Sequence, residues 1–586
     1  MKNLLKPLFV AALMFVANTG VQAQGWPENY EGVMLQGFYW DSYADTQWDN
    51  LSSQAEEMSE FFDLIWVPNS AYAGSLTSNM GYHPIYWFDH KSAFGSEEAL
   101  RSMIKTFKEK GTGIIEDVVI NHRLGVSSWV DFPAETVNGV TYQLTASDIC
   151  SGDEAKDEGY TLGQNADTGQ NWGGARDLDH KSENVQKNVV AYLDYLKNNL
   201  GYVGFRYDFV LGYAPEYVGK YNQTVKPEFS VAECWESYTI IRNWLNGTKV
   251  DDAIQSAAFD FPLKFIIRDA FNASDWSKLA GTGTSYLAYL PSLRRYSVTF
   301  LDNHDTGRED DNMLKANIEA ANAFMLMLPG TPCVWLSHWK KYKAPIKKMI
   351  LVRHAAGITN QSAINANNYK VVDNGFVAET KGTKGNVMIL LGDVTSQSTE
   401  GYKLALEGEN YKLYVSEAVD ISALDDVVDD EPSVNIPSFC TVGADEMCAF
   451  FEAPQTWSTI KCWCWNSSSN FTGGTWPGAL CQYLGKAENG NEVYKWTYSQ
   501  PLSTVSSLPT GIIFSSNGAP QTIDLPFENG GYYNIDGLQG TVTTGIDDIL
   551  INKDGEPSAI YDLQGRRVEK PAARGIYIVN GRKVVR

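Results

Sequence analysis

From about residue 30 to residue 350, short apolar runs alternate with longer segments whose apolar residues recur at helical spacing. Ser96 can cap a helix whose predicted inner face holds Leu100, Met103, Ile104 and Phe107. A strand, Gly113–Asn121, follows at once. Ser182 opens a second helix, Gly201 ends it, and strand Val203–Tyr207 comes next. Strand, helix and strand in succession predict a parallel sheet with crossover helices.

The pattern changes in three other parts of the chain. Residues 123–180 are rich in Gly, Asp, Asn and Thr, lack a helical period, and are long enough to form a small subdomain. After residue 353 the helical pattern stops, and alternating runs such as Asn386–Leu391 predict an antiparallel sheet up to residue 455. Residues 456–540 are β-like and rich in Trp, and a last piece, 541–586, begins with a Thr-rich connector.

Three carboxylates stand at the ends of apolar, strand-like runs. Asp208 ends GFRYD, Glu233 ends VAE and Asp305 ends FLDNHD. Acids at the carboxyl ends of successive parallel strands converge on one mouth of a (β/α)8 barrel. A pair of carboxylates is what glycoside hydrolysis requires, and a third can bind a substrate hydroxyl. The pattern therefore favours a glycosidase over a set of solvated surface acids.

Composition and charge narrow the possible partners. The chain has 586 residues, which predicts several domains, and a formal net charge of −23. Nucleic acid is not expected as a partner, because phosphate binding needs a basic surface. The 17 Trp and 31 Tyr fit carbohydrate binding, although core packing could also use them. Acidity suits a neutral polymer and bound calcium, and solubility alone would also explain it.

The first 23 residues have the pattern of a signal peptide. Lys2 and Lys6 precede the apolar run Leu8–Val16, and the small residue Ala23 ends a cleavage site. We therefore expect a secreted or cell-surface protein. No later apolar run of about 18 residues predicts a membrane span. The eight cysteines permit disulfides in an exported chain, and the sequence leaves their connectivity open.

Four segments, in order, resemble the motif regions of glycoside hydrolase family 13, the α-amylase family. They are DVVINH, beginning at Asp117, together with GFRYD, VAE and FLDNHD. The resemblance, closest to plant-type α-amylases, covers roughly residues 30 to 418. It implies a (β/α)8 TIM barrel at 24–352, a short excursion subdomain after strand 3 at 123–180, and an antiparallel β domain at 353–455.

The resemblance also implies separate roles for the three acids. Asp208 would be the nucleophile, Glu233 the general acid and base, and Asp305 the stabiliser of the transition state. On a strand, residues i and i+2 point the same way, so the guanidinium of Arg206 can keep Asp208 ionised. Glu233 must be protonated, and its pKa should be raised by apolar surroundings and nearby carboxylates. Carboxylates about 5 Å apart would retain the anomeric configuration.

Other motif residues match the substrate contacts of the family. His122 and His304 match its two subsite histidines, and Tyr82 matches the aromatic platform under the sugar at the cleavage point. For each, a structural role in the core is the alternative. Leu211 departs from the family, because many members have Lys or Arg three residues after the nucleophile. This difference concerns contacts on the leaving-group side.

A calcium ion, Ca2+, is the cofactor that the resemblance implies. Asn121, Asp167 and Asp177 match the family's side-chain ligands, and the carbonyl of Gly212 completes the set. Hard oxygen ligands are those that calcium prefers. An ion there would hold the excursion against the barrel beside the nucleophile strand. The alternative is that these residues only cap turns.

The Trp-rich segment at 456–540 resembles family 26 starch-binding modules, which implies a β-sandwich carbohydrate-binding module. The matching pieces are CWCWN, TWPG and GIIFSSNG. Trp463, Trp465 and Trp476 are the candidate glucan-binding aromatics. Trp463 and Trp465 share one face of a strand, because alternate residues point the same way.

The tail at 541–586 contains IYDLQGRRV and GIYIVNGRKVV. Without any resemblance, this pattern predicts two strands about a turn. It is also similar to the C-terminal sorting domains of the type IX secretion pathway. That resemblance implies the secretion machinery as a partner and makes the tail an export signal, separate from the catalytic domain.

Together these features favour a calcium-dependent, retaining, endo-acting α-amylase. Its expected substrates are starch, amylose, amylopectin or glycogen, cleaved at α-1,4 bonds. Another family 13 activity, a transglycosylase or an α-1,6-cleaving enzyme, is the nearest alternative. A non-catalytic starch-binding protein is disfavoured because all three carboxylates are present.

Overall fold

The computed structural model describes residues 25–280, 285–427 and, with short gaps, 436–542, together with three strands of the tail. The chain divides into two compact units, 1–429 and 430–586. The predicted signal peptide lies outside the described residues. In the described part, no helix has the length and apolar character needed to cross a membrane.

The first unit contains the predicted (β/α)8 barrel, in which the strands close in sequential order. We number the barrel strands β1 to β8; they are Met34–Gln36, Leu64–Val67, Gly113–Val118, Gly204–Tyr207, Phe229–Ala232, Ala257–Phe259, Ser297–Phe300 and Thr331–Trp335. Neighbouring strands are parallel, and Asp117 of β3 pairs with Arg206 of β4. This register places the first two sequence motifs side by side at the same end of the barrel.

Helices surround the barrel, and their starts follow the predicted caps. The Ser96 side chain accepts a hydrogen bond from the backbone of Ala99 at 3.2 Å, and the predicted apolar face is buried. The second predicted helix is α-helical only to Asp194 and continues to Leu200 as a wider π turn. The helices of this unit are Trp48–Ser53, Ala55–Phe61, Glu97–Glu109, Glu183–Asp194, Pro215–Val225, Tyr238–Gly247, Phe261–Ala273, Ile318–Met327, Leu336–Lys341 and Lys343–Ala356.

Aromatic rings fill the barrel interior beneath the site. Trp66 packs against Phe38 and Phe259, with ring centroids 5.1 and 5.3 Å apart, and Phe259 packs edge-on against Phe300 at 5.3 Å. These rings are buried. Burial of each large apolar side chain contributes about 1.5–3 kcal/mol, so this layer provides a rigid floor for the polar residues above it.

The excursion after β3 forms two small antiparallel pairs. Strand His122–Arg123 pairs with Arg176–Asp177, and Glu135–Val137 pairs with Val140–Tyr142. A buried ion pair of 2.5 Å joins Arg123 to Glu135. The first pair starts directly beside the barrel mouth, so it connects the excursion to the site.

The expected antiparallel sheet follows the barrel. Its strands lie in the order Ala363–Val372, Asn374–Lys381, Asn386–Asp393, Tyr411–Ser416 and Tyr402–Gly408. One face buries Phe376, Ile389 and Leu413 in the core that it shares with the barrel helices. This sheet therefore completes the first unit and contributes no residue of the predicted site.

The second unit contains two sheets, as expected of a β-sandwich. One has the order Gln482–Lys486, Glu492–Thr497, Cys448–Ala453, Gly531–Asn534 and Gly537–Thr541; the other has Ala479–Leu480, Ile460–Trp465, Gly511–Ser516 and Leu525–Pro526. Strand Cys448–Ala453 pairs centrally here, so this domain begins before the predicted boundary at 456. All eight cysteines of the chain are buried and unpaired.

The tail has three described strands where the pattern predicted two. Ile560–Asp562 pairs with Ile576–Val579, which pairs with Arg582–Val585. The second predicted segment therefore folds back on itself as a hairpin.

Candidate active site

The barrel brings the three predicted carboxylates together at the carboxyl ends of its strands. Asp208 directly follows β4 and Glu233 directly follows β5. Asp305 follows β7 on a short loop. Their side chains are 12%, 11% and 20% exposed, whereas the residues beneath them are almost fully buried. The acids thus form the accessible part of a polar cluster at this end of the barrel, which we call the pit.

Arg206 connects these acids at the base of the pit. One terminal nitrogen of its guanidinium lies 2.7 Å from Asp208, and the other lies 2.8 Å from Glu233. The first nitrogen also lies 2.6 Å from Asp117, a buried carboxylate that the sequence motif contained but that was not predicted as a site residue. One guanidinium thus holds the two acids side by side, as a pair of catalytic carboxylates requires.

One buried cation therefore faces three buried acids. Burial raises the pKa of Asp117, Asp208 and Glu233, and Arg206 opposes the rise for each. For Glu233 the pKa rises to about 8, because Asp208 and Asp305 add to the effect of burial. Among the three, Glu233 is thus the acid best suited to hold a proton at neutral pH.

The backbone after Asp208 is strained in a way that serves the site. Phe209 has a left-handed conformation, with φ of 42° and ψ of 52°, which is unusual for a bulky residue. Its N–H donates to Glu233 at 3.1 Å. The turn thus redirects the chain immediately after the acid of β4 and orients the acid of β5, as strained residues at functional sites commonly do.

Tyr82 and His304 lie in one chain of hydrogen bonds. The Gln36 amide contacts His304 Nδ1 at 2.9 Å, and His304 Nε2 lies 2.6 Å from the Tyr82 hydroxyl. That hydroxyl donates to Asp117 at 2.8 Å. Burial lowers the pKa of His304 to about 4, so the ring is neutral at pH 7. If the amide donates to Nδ1, the proton is on Nε2, which points toward Tyr82 and Asp305.

A stack of rings lines one side of the pit. Trp40 lies parallel to Tyr82 and to His304, with centroids 5.9 and 6.0 Å apart. Arg308 lies 3.6 Å over Trp40 and 3.2 Å from Asp305. The motifs did not identify Trp40 or Arg308. An aromatic wall beside carboxylates can contact the apolar face of a sugar ring while the acids contact its hydroxyls.

His122 lies on the excursion side of the pit. Its Nε2 contacts the Tyr82 carbonyl at 2.8 Å, and its ring packs against Trp172 with centroids 4.1 Å apart. Burial lowers its pKa to about 3, so it is also neutral. The sequence did not identify Trp172, because the excursion has no periodic pattern from which its position could be predicted.

Leu211, the residue that departs from the family, has a structural contact. Its carbonyl accepts a hydrogen bond from Gln170 at 2.8 Å, and its side chain is half-buried against the barrel core. The backbone here joins the excursion to the turn after β4. The side chain adds no charge to the pit.

The predicted calcium ligands also come together. Asn121 donates to Asp177 at 3.2 Å, and a Cβ added to Gly212 would lie 2.0 Å from Asn121 Oδ1. Asp167 Oδ2 is buried without a hydrogen-bond partner among the described residues. Burial raises the pKa of Asp177 to about 7, and Asp167 adds to the rise. Converging oxygens with uncompensated negative charge fit a hard cation.

The predicted calcium ligands include only two carboxylates. Across the described residues, no group of three or more His, Cys, Asp or Glu side chains is arranged to hold a metal ion. The predicted set instead combines two carboxylates with an amide and a carbonyl, all of them oxygen donors acceptable to calcium.

The candidate aromatics of the second unit lie on one surface. Trp463 and Trp465 alternate along strand Ile460–Trp465 with the buried Cys462 and Cys464. Trp463 meets Trp476 edge-on, with centroids 6.0 Å apart, and Trp476 is 42% exposed. All three Trp remain at least partly accessible, so none belongs to the sandwich core.

A (β/α)8 barrel with paired carboxylates at the carboxyl ends of its strands has the architecture of a glycoside hydrolase. Comparisons with known proteins agree with this class. The chain is 29% identical to "Probable alpha-amylase 2" of Arabidopsis thaliana over 65% of this chain and 93% of that protein. It is 27% identical to a glucan 1,4-alpha-maltotetraohydrolase of Stutzerimonas stutzeri over 67% of this chain and 74% of that protein.

Two further comparisons concern the module and the fold. Residues 449–527 match the family model of starch-binding module 26. The crystal structure of an alpha-amylase from Geobacillus thermoleovorans, complexed with acarbose, gives a TM-score of 0.48 at 15% identity and covers 67% of this chain and 99% of that one. The sequence relatives make the chain a homologue of alpha-amylases, and the matched family model shows that it carries a starch-binding module.

Proposed function

We propose that this protein hydrolyses internal α-1,4-glucosidic bonds of starch and related α-glucans, as a retaining α-amylase. The bridging of Asp208 and Glu233 by Arg206 carries the proposal, because it supplies a nucleophile and an acid on one rigid support. The named relatives and the starch-binding module support the choice of substrate.

In the first step, Asp208 attacks the anomeric carbon and Glu233 gives its proton to the glycosidic oxygen. The bond to the leaving glucan breaks, and a covalent glycosyl-enzyme forms on Asp208. In the second step, Glu233, now ionised, takes a proton from water, and the water oxygen replaces Asp208 at the anomeric carbon. Two displacements retain the configuration, and the proton returns to Glu233.

The surrounding residues orient the sugar and stabilise developing positive charge. Asp305 lies beside His304 Nε2 at 3.2 Å and is positioned to bind hydroxyls of the distorted ring. Tyr82 and Trp40 offer an aromatic wall, and His122, on the excursion, contacts the Tyr82 carbonyl. The neutral histidines position Tyr82 without adding a positive charge that would oppose the oxocarbenium-like state.

Calcium would be held by Asn121, Asp167, Asp177 and the carbonyl of Gly212. When bound, the ion supplies positive charge that balances the buried acids and links the excursion to the turn after β4. Its proposed contribution is therefore structural. The residues that carry out the chemistry remain Asp208 and Glu233.

The proposal is tested with the purified protein and soluble starch. We expect falling viscosity with slower release of small sugars, and α-anomeric products by NMR. Asp208→Asn should abolish hydrolysis while binding to starch persists, and Asp194→Asn, on an outer helix, is the control and should stay active. Cleavage of pullulan in preference to amylose would indicate α-1,6 activity and contradict the proposal, as would substantial turnover by Asp208→Asn.

For localisation, we propose export directed by residues 1–23 and by the tail at 541–586. Two features support this assignment: the charged and apolar pattern of the first segment, and the sequence of the tail, which is similar to type IX sorting domains. In a host with type IX secretion, removal of 541–586 should leave active enzyme inside the cell envelope. Unchanged appearance in the medium would contradict a sorting role for the tail.

A further inference from the structure

A buried ion pair lies beneath the loop that carries Asp305. Lys264, on helix Phe261–Ala273, lies 3.0 Å from Asp302, which follows β7. Neither side chain is exposed to solvent. Neither residue contacts the pit directly, so the sequence motif and the mechanism above assign no role to this pair.

Asp302 is linked to the backbone of Asp305 by a short series of hydrogen bonds. It accepts from the Thr306 hydroxyl at 3.0 Å, and that hydroxyl accepts from the Asn303 N–H at 3.1 Å. Asn303 Oδ1 in turn accepts from the N–H groups of Asp305 and Thr306, at 3.0 and 2.8 Å. The position of Asp305 therefore depends on the position of the Asp302 carboxylate.

The same ion pair fixes the far end of this loop. Asp302 also accepts from the Leu314 N–H at 3.0 Å, and Lys264 donates to the Asn312 carbonyl. Two neighbours of Lys264 on its helix extend the contact: Arg268 donates to the Asp311 carbonyl at 2.7 Å and Asn272 to the Met313 carbonyl at 3.0 Å. The loop from 302 to 314 is thus held at both ends by one helix.

The opposite charges of Lys264 and Asp302 balance each other. Burial lowers the pKa of Lys264 and raises that of Asp302, and each opposes the shift of the other. His338 lies 3.9 Å from Asp302, but burial lowers its pKa to about 3, so it is neutral. Buried ion pairs seldom stabilise a protein more than apolar residues of similar size would. Their value here is the fixed geometry that they impose on the loop.

We propose that Lys264 and Asp302 are positioning residues, which hold the loop after β7 so that Asp305 is placed for the reaction. The inference rests on the proposed function, since Asp305 matters only if the pit hydrolyses glycosidic bonds. Misplacement by about 1 Å of a group that acts in the transition state can lower a rate by about 100-fold. Loss of the pair should therefore lower kcat more than it changes KM.

The test compares Lys264→Met with the wild type at a temperature well below both melting temperatures. We expect kcat on soluble starch, per folded molecule, to fall about 10- to 100-fold with little change in KM. Lys347→Met is the matched control. Lys347 pairs with Glu57 at 2.7 Å on the outside of the barrel, so its loss should leave kcat unchanged. A purely structural role for Lys264 would lower the melting temperature and leave kcat unchanged.

A second variant separates charge from geometry. This double variant combines Asp302→Asn with Lys264→Met. It removes the unpaired buried carboxylate and keeps an amide oxygen that can accept a hydrogen bond from Thr306 or Leu314. We expect this double variant to regain part of the lost kcat. Should Lys264→Met not fold, the double variant and Asp302→Asn alone carry the same measurement. Wild-type kcat in every folded variant would overturn the inference, whereas an inactive wild type would overturn the proposed function instead.

Discussion

Replacement of Arg206 by Met would test the electrostatic basis of the site. The guanidinium is 1% exposed and contacts Asp208 at 2.7 Å, so the charge centres are separated by roughly 4 Å. At an effective dielectric constant of about 20, their attraction is about 4 kcal/mol. That energy corresponds to about 3 pH units in the pKa of Asp208, as an upper bound because the neighbouring acids would share the change.

The expected result is a shift of the acidic limb of the pH profile. Arg206 lowers the pKa of Asp208, so its removal raises that pKa further. The nucleophile must be ionised, and activity should then appear only at higher pH than in the wild type. We expect the acidic limb of kcat/KM on soluble starch to move up by about 1–3 units. The maximal kcat should also fall, because the acid and the nucleophile lose their common support.

Arg353→Met is the control for loss of a buried arginine. Arg353 donates to the carbonyls of Leu326, Leu328 and Gly330, away from the pit. Its removal should lower the melting temperature without moving the acidic limb. If Arg206→Met left the acidic limb where it is in the wild type, or moved it to lower pH, the assignment of Asp208 as the acid paired with this cation would be wrong.

Three further outcomes are expected. Glu233→Gln should lower kcat by about 100- to 10,000-fold and remove the alkaline limb of the pH profile, because activity is lost as pH rises through the pKa of the acid. An alkaline limb that persisted would assign the proton to another residue. Chelation with EDTA should lower the melting temperature of the wild type by about 5–15 °C, and added Ca2+ should restore it. The melting temperature of Asp177→Asn should change little on chelation. An equal decrease in both proteins would contradict the calcium site. Trp476→Ala should weaken retention on granular starch about tenfold while kcat on soluble starch is unchanged. The control is Ile523→Ala, which should bind starch like the wild type although Ile523 is also exposed, at 75%.

The sequence predicted the barrel because local patterns repeat along it. Caps such as Ser96 and short apolar runs depend on neighbours in the chain, and the strands then close in sequential order. The acids at strand ends were predictable for the same reason. Gly201 ends the second helix as predicted, but the change to a π turn at Tyr195–Leu200 was not predictable, since that turn has the same apolar spacing as an α-helix.

What the sequence could not predict are contacts between residues far apart in the chain. Trp40 stacks on His304, and Lys264 reaches Asp302, only because the closed barrel brings β1, β7 and the helix before β7 together. Neither Trp40 nor Lys264 lies in a recognised motif. Asp117 is an intermediate case, because it begins a recognised segment, but its register opposite Arg206 emerges only from the parallel pairing of β3 with β4.

Asp117 changes the interpretation of the catalytic pair. If Asp117, Asp208 and Glu233 were all ionised, Arg206 would leave two negative charges uncompensated in a buried site, which is unfavourable. One proton must therefore be shared among them near neutral pH. Asp117 accepts from Arg206 and from the Tyr82 hydroxyl, which stabilises its charge, and Asp208 contacts the same guanidinium nitrogen. This third carboxylate, absent from the predicted site, thus places like charge beside the nucleophile and raises the pKa of Asp208, and Arg206 opposes that rise.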